Sequence, residues 1–432
     1  MKTQWNLKSF ALELGHLWNI PSGIQLEPDY QSKLTHAWNQ FLHKSKTQQI
    51  GFFDWPQTEN SKQIAEIETL ARELNHLFQG AICIGIGGSY LGPAALQEIL
   101  NPLPSNQDFQ VQWISNADST PILRATRSIQ SKKCLAVIIS KSGGTTETLA
   151  AWFHLSPHFT KDSIVVITDP NHGELRRLSK VEGWRSLPVP PNIGGRFSVL
   201  SAVGLFPLAL QGVAICELIE GARFMRDSLL GSPLLENPAL WYAYSKFLWD
   251  KRGHSVQYLM PYDSRLKLLA DWYVQLWAES LGKKQLGSQL SVGPNPVSAL
   301  GTSDQHSLLQ LFKEGPQQRI VGFLTTEDPA SPQVGSPSFS SPDFDYLTRK
   351  TFSELNLMAS QATEESLHRG EVPTYRFALD ELSPFNLGAF IFFQETACAL
   401  AGELYGVNAF DQPGVEETKK ILKSKLTAKP LV

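Results

Sequence analysis

From residue 80 onward the chain alternates short, uniformly apolar runs with stretches whose apolar residues recur every three to four positions. AICIGI (81–86), FQVQWIS (109–115), CLAVIIS (134–140) and SIVVITD (163–169) read as strands, the first and third apolar enough to be buried on both faces. Helical spacing fills several of the intervals between them. Strands alternating with helices predict a parallel sheet covered on both sides. Before this region, WNQFLHK (38–44) and IAEIETLARELNHLF (64–78) carry helical spacing, so the first 75 residues are expected to be helices and connections.

A second round of the same layout begins near residue 255. SVQYLMPY (255–262) is expected to be a strand, the sequence from about Arg265 through AESLGKK a helix, and QRIVGFLTTE (318–327) and TYRFALD (374–380) further strands. DPASPQVGSPSFSSPD (328–343) reads as an exposed loop. FDQPGVEETKKILKSK reads as a turn followed by a helix that starts after Pro413. The expected organisation is an α/β chain. It has an N-terminal helical segment (1–75), a first α/β unit (76–225), a second (226–408) and a C-terminal turn and helix (409–432).

Composition narrows the setting. Of 432 residues, 42% are hydrophobic and 18% charged, which is globular. The net charge of −3 and the lack of a basic block argue against nucleic acid as the main partner. The N-terminus lacks an apolar signal core, so export is not indicated and a cytoplasmic location is expected. The one span candidate noted, 199–219, carries Ser201, Pro207, Gln211 and Glu217, and is expected to be a buried helix; no membrane partner is predicted. Four cysteines, Cys83, Cys134, Cys216 and Cys398, lie in apolar runs without ligand spacing, so they read as reduced core residues, and no metal or cofactor is expected.

Two loops stand where a parallel sheet binds ligands, outside the carboxyl ends of strands. GIGGSYLG (85–92) and SKSGGTTET (140–148) each lead into a helix, and free N–H groups, glycines and short hydroxyls suit a phosphate. The alternative is that the glycines only turn the chain and the hydroxyls only cap helices. NIGGRFS (192–198) sets Arg196 before an apolar stretch, where a cation would stabilise charge developing on a reactant. Gln275 and Glu279 share a helix face, and Trp277, Ala278 and Leu281 give the carboxylate apolar neighbours suited to a general base, against the alternative of a solvated surface group. His306 is expected in the first turn of a helix capped by Thr302 or Ser303, where a structural role is the commoner one. Lys419, read alone, is a surface charge.

In order, GIGGSYLGP, SKSGGTTET, NIGGRFSVLSAVGL, AESLGK, TSDQHS and FDQPGVEETK resemble the segments of the phosphoglucose isomerase family, from Gly85 to Lys419. The resemblance implies two sugar-isomerase (SIS) subdomains and metal-free interconversion of glucose 6-phosphate and fructose 6-phosphate in glycolysis and gluconeogenesis, through a cis-enediolate. It further implies that Gly88, Ser89, Ser140, Lys141, Ser142, Thr145 and Thr148 hold the sugar phosphate and that Gln275 positions the substrate. Glu279 would be the base, Arg196 would stabilise the enediolate, and His306 and Lys419 would assist ring opening, with Glu147 supporting His306. The family's histidine comes from the neighbouring subunit, so a homodimer with shared sites is implied. Two positions depart from the family pattern: Gly144, where a threonine is usual, and Leu281, where a polar residue is usual. The alternatives are a dual phosphoglucose/phosphomannose isomerase and a sugar-phosphate sensor without catalysis.

Overall fold

The computed structural model describes residues 2–21, 23–57, 61–105 and 108–428; the end of the 409–432 segment lies outside them. Two short strands, β1 (Gln4–Asn6) and β2 (Phe10–Glu13), open the chain. A first sheet follows, made of β3 (Gly80–Ile84), β4 (Gln110–Ile114), β5 (Cys134–Ile139), β6 (Ile164–Thr168) and β7 (Arg185–Pro188). Its order is β4-β3-β5-β6-β7 and every pairing is parallel. β3 and β5 are buried along their whole length, as their unbroken apolar sequences require of central parallel strands. The order grows outward in both directions from the β3/β5 pair. The loops leaving these strands therefore flank the point where the chain changes direction, the place where open α/β sheets bind ligands.

The second round builds β8 (Val256–Pro261), a two-residue hairpin of β9 (Lys283–Lys284) with β10 (Ser291–Val292), and then β11 (Asn295–Ser298), β12 (Arg319–Thr326) and β13 (Thr374–Leu379). The second sheet has the order β1-β2-β13-β12-β8-β11. Its last four strands are mutually parallel, and β2 runs antiparallel to β13, with Leu12 opposite Phe377. The segment expected to hold helices and connections thus begins by donating two strands to a sheet whose other members lie far later in the chain. Helical spacing resumes at Tyr30–Lys46 and Ser61–Leu77, where it was expected.

The apolar stretch at 199–219 is two helices, Ala202–Leu210 and Ile215–Gly231, because the chain turns at Gly212, whose φ is +79°. Ser201 caps the first by accepting from the Val203 N–H. Another helix, Pro384–Tyr405, is long and apolar enough to span a membrane by length and composition; the sequence reading passed over it. In the fold 89% of its apolar window is buried, as in a core helix. It crosses Ile215–Gly231 almost backbone to backbone: a Cβ on Gly388 would lie 1.9 Å from the Leu218 carbonyl oxygen, and one on Gly221 1.8 Å from that of Phe385. Any side chain at either glycine would push the helices apart. Of the four cysteines, Cys83, Cys134 and Cys398 are buried, but Cys216 is exposed at the start of its helix, with its thiol donating to Glu68.

Candidate active site

The loop after β5 is organised by its hydroxyls rather than by capping. Thr145 occupies the N-cap of the Thr146–Leu155 helix yet makes no cap bond through its side chain. Its hydroxyl is 2.8 Å from that of Ser140, which also lies 3.5 Å from the Ser142 hydroxyl. Ser142 accepts from the Gly144 N–H at 3.4 Å. The Thr148 hydroxyl is buried and has no partner, a deficit of about 1–3 kcal/mol that a bound acceptor would relieve. Three hydroxyls thus cluster at a helix N-terminus, as a phosphate site requires, with the unpaired Thr148 hydroxyl one turn on in the same helix. Gly144 has open space where a Cβ would stand and no positive φ, so the backbone does not demand glycine there.

Lys141 points elsewhere. Its ammonium donates to the Pro191 carbonyl at 2.8 Å, and burial lowers its pKa against the pull of Asp169. It ties the loop to the segment leading into NIGGRFS. Glu147 sits half-buried in the first helical turn without an ion pair among the described residues.

The loop after β3 folds as a short 3-10 turn, Gly87–Ser89, and lies against a second one, Gly195–Phe197. A Cβ on Gly88 would come within 2.3 Å of the Gly195 carbonyl oxygen. Glycine at 88 is therefore what lets the two turns meet. The contact sets Ser89 on one side and Arg196 on the other.

Arg196 is 3% exposed. Burying a guanidinium costs several kcal/mol unless its donors are used. Its Nε donates to Ser280 Oγ at 2.7 Å, its Nη2 to the carbonyls of Ala409 and, at 3.0 Å, Asp411, and its Nη1 lies 3.2 Å from Glu279 Oε1. Burial lowers its pKa, with Glu279 opposing. Four of five N–H donors are thereby occupied by the described residues, leaving one on Nη1.

Glu279 stands in the last turn of the Lys267–Leu281 helix with both carboxylate oxygens held, one by Arg196 and the other by the Gln275 amide at 3.1 Å. The apolar surroundings expected for it give way to a cation and an amide. A quarter of its side chain remains exposed, at the wall of a cleft of about 820 Å³. The Gln275 carbonyl oxygen is buried without a partner. Leu281, the departure from the family pattern, is fully buried in the core.

The sequence reading missed several supports. Ser280 and the 408–411 turn orient Arg196. Behind the helix, on the face away from Glu279, Lys246 is buried among aromatic rings: its Nζ donates to Tyr273 and lies 3.1 Å from the Trp277 ring centre, and burial pushes its pKa well down. The YSKFLW sequence around it carried no signal for such a place.

His306 and Lys419 are not in this cluster. His306 lies in the first turn of Gln305–Glu314, where Asp304 rather than Thr302 or Ser303 is the N-cap residue. It is exposed and has no side-chain partner among the described residues, Glu147 included. Lys419 projects from the Glu416–Thr427 helix and, among the described residues, pairs only with Glu416, at 2.7 Å. That helix buries none of its residues. Among the described residues no group of three His, Cys, Asp or Glu side chains is placed to hold a metal ion.

A hydroxyl cluster at the switch point of a parallel sheet, together with a carboxylate clamped by a guanidinium, is an α/β arrangement suited to a phosphorylated ligand and to moving a proton on it. Comparison with known sequences narrows the class. The sequence model of the family described as phosphoglucose isomerase matches residues 72–430. The glucose-6-phosphate isomerase of Carboxydothermus hydrogenoformans is 37% identical over 410 residues, covering 90% of this chain and 88% of that protein. That of Thermus thermophilus is 37% identical over 390 residues, covering 87% and 90%. Among solved structures, a hypothetical protein from Thermus thermophilus superposes with a TM-score of 0.85 at 34% identity, over 97% of this chain and 100% of that one. A glucose-6-phosphate isomerase from Chlamydia trachomatis, 20% identical, superposes at 0.80 over 98% and 89% and shares the fold. The chain belongs to the phosphoglucose isomerase family.

Proposed function

We propose that the protein interconverts glucose 6-phosphate and fructose 6-phosphate in the cytoplasm, as a homodimer, with the residues above in the following roles. The single observation that carries the reading is the Arg196–Glu279–Gln275 cluster. The phosphate sits on Ser140, Ser142, Thr145 and Thr148, with Ser89 on the facing turn. Glu279 takes the proton from C2 of the open-chain aldose and returns it to C1, so one carboxylate serves both steps. Negative charge then appears on the C1 and C2 oxygens, and the remaining Arg196 N–H is available to them in a site where the guanidinium cannot reorient. The Gln275 amide fixes the base, and its unpaired carbonyl offers an acceptor to a sugar hydroxyl. Lys141, bound to the Pro191 carbonyl, braces the loop rather than touching phosphate.

Ring opening needs an acid and a base at the ring oxygen and O1. His306 and Lys419 fill those roles, His306 once a second copy brings it in, which accounts for its exposure here. No step requires a metal. The test is a coupled assay of fructose 6-phosphate turnover on the purified full chain: activity unaltered by EDTA is expected, and binding without turnover overturns the reading in favour of a sensor. Mannose 6-phosphate turned over at a comparable rate would instead favour the dual enzyme.

A further inference from the structure

The AESLGK segment ends in Lys283, whose place differs from the continuing helix that the sequence suggests. The helix stops at Leu281, and Lys283 begins the β9 hairpin, turning its side chain toward the 408–411 turn. An ammonium has three donors, and all three are used. They reach the Asn408 carbonyl, the Asp411 carbonyl at 2.7 Å and Asp411 Oδ1 at 2.7 Å. The side chain is 9% exposed. Burial lowers its pKa; the bond to Asp411 opposes this, and the charge of Arg196 adds to it.

Two cations therefore hold one turn. The Asp411 carbonyl accepts from Lys283 and, at 3.0 Å, from Arg196, which also takes the Ala409 carbonyl. Two more contacts stiffen the turn: Asn408 Nδ2 donates to Asp411 Oδ2 at 3.0 Å, and the Phe410 ring packs 5.2 Å from that of Phe197. Beyond Asp411 the chain runs directly into the helix bearing Lys419.

We propose that Lys283 is a positioning residue for the isomerisation: it fixes the 408–411 turn, whose carbonyls in turn fix the guanidinium of Arg196 beside Glu279. The proposal rests on the isomerase reading above. Lys283 itself need not touch the sugar, since its three donors are already engaged by the protein.

The test is steady-state kinetics of fructose 6-phosphate on the full-length protein. Lys283→Gln is expected to lower kcat about 10- to 100-fold with KM within about threefold, because the guanidinium is displaced while the phosphate loop is untouched. In an Arg196→Lys background the same change is expected to cost less than about threefold more, since the residue that it serves is already gone. Additive losses, or a loss carried by KM, overturn the proposal. Should Lys283→Gln fail to fold, Asp411→Ala decides: a lower kcat at constant KM supports the proposal, and wild-type kcat sinks it. A wild-type protein without turnover defeats the isomerase reading and takes this proposal with it, whereas an active wild type with additive losses defeats this proposal alone.

Discussion

The two halves of the proposed chemistry are built in opposite ways. Arg196, Glu279 and Gln275 are buried or half-buried, and four of the five Arg196 N–H donors and both Glu279 oxygens are engaged by the same chain. His306 and Lys419 stand on exposed helices, one without a partner among the described residues and the other paired with a neighbour three positions away. The difference tracks the task. A cation that must meet developing charge gains from a fixed, dry setting, whereas groups that the proposed second subunit completes stay exposed in a lone chain. The Glu416–Thr427 helix, with nothing buried, is the surface that the proposed second subunit would cover.

The comparison breaks first at Glu279. Glu279→Gln should lower kcat about 10³-fold if the carboxylate moves the proton, and turnover at the wild-type rate in that variant would remove the buried half from the chemistry. Next comes Arg196→Ala, where a loss of about 10²–10³-fold in kcat is expected from removing a fixed donor to an oxyanion; a change confined to KM would make it a binding group only. The exposed half is sharpened by mixing. Refolding inactive Glu279→Gln together with inactive His306→Ala should restore about a quarter of wild-type activity, because half the random dimers carry one intact shared site. No recovery in a dimer confirmed by sedimentation would place both residues in one chain's site. Smallest is Gly144→Thr, for which KM should stay within about twofold, since a side chain there meets only open space; a tenfold rise would mean that the loop needs glycine after all.

Much of the first half was legible because buried parallel strands have unbroken apolar sequences and because their loops must carry the ligand groups. CLAVII and the hydroxyls after it are one signal, read in sequence order. What escaped was long-range. β1 and β2 are too short to show a period, and their place is set by pairing with β13. The break at Gly212 was hidden by apolar residues on both sides of it. Ser280, Lys283 and Asp411 look like ordinary polar residues in sequence, and their part in holding Arg196 exists only once the 408–411 turn is folded back across the end of the Lys267–Leu281 helix. Lys246 is the extreme case, a lysine inside a core whose aromatic neighbours come from separate segments.

The contact between Gly88 and Gly195 has a consequence for substrate range. With no side chain between the two turns, the backbone spacing from Ser89, in the proposed phosphate grip, to Arg196, in the proposed proton-transfer cluster, is fixed by direct contact. On the proposed reading, the site gauges carbon-chain length. A pentose 5-phosphate should seat its phosphate as well as a hexose 6-phosphate does, yet hold its reacting carbons short of Glu279. It should thus act as a competitive inhibitor with negligible turnover; rapid isomerisation of the shorter sugar would show that the gauge has slack.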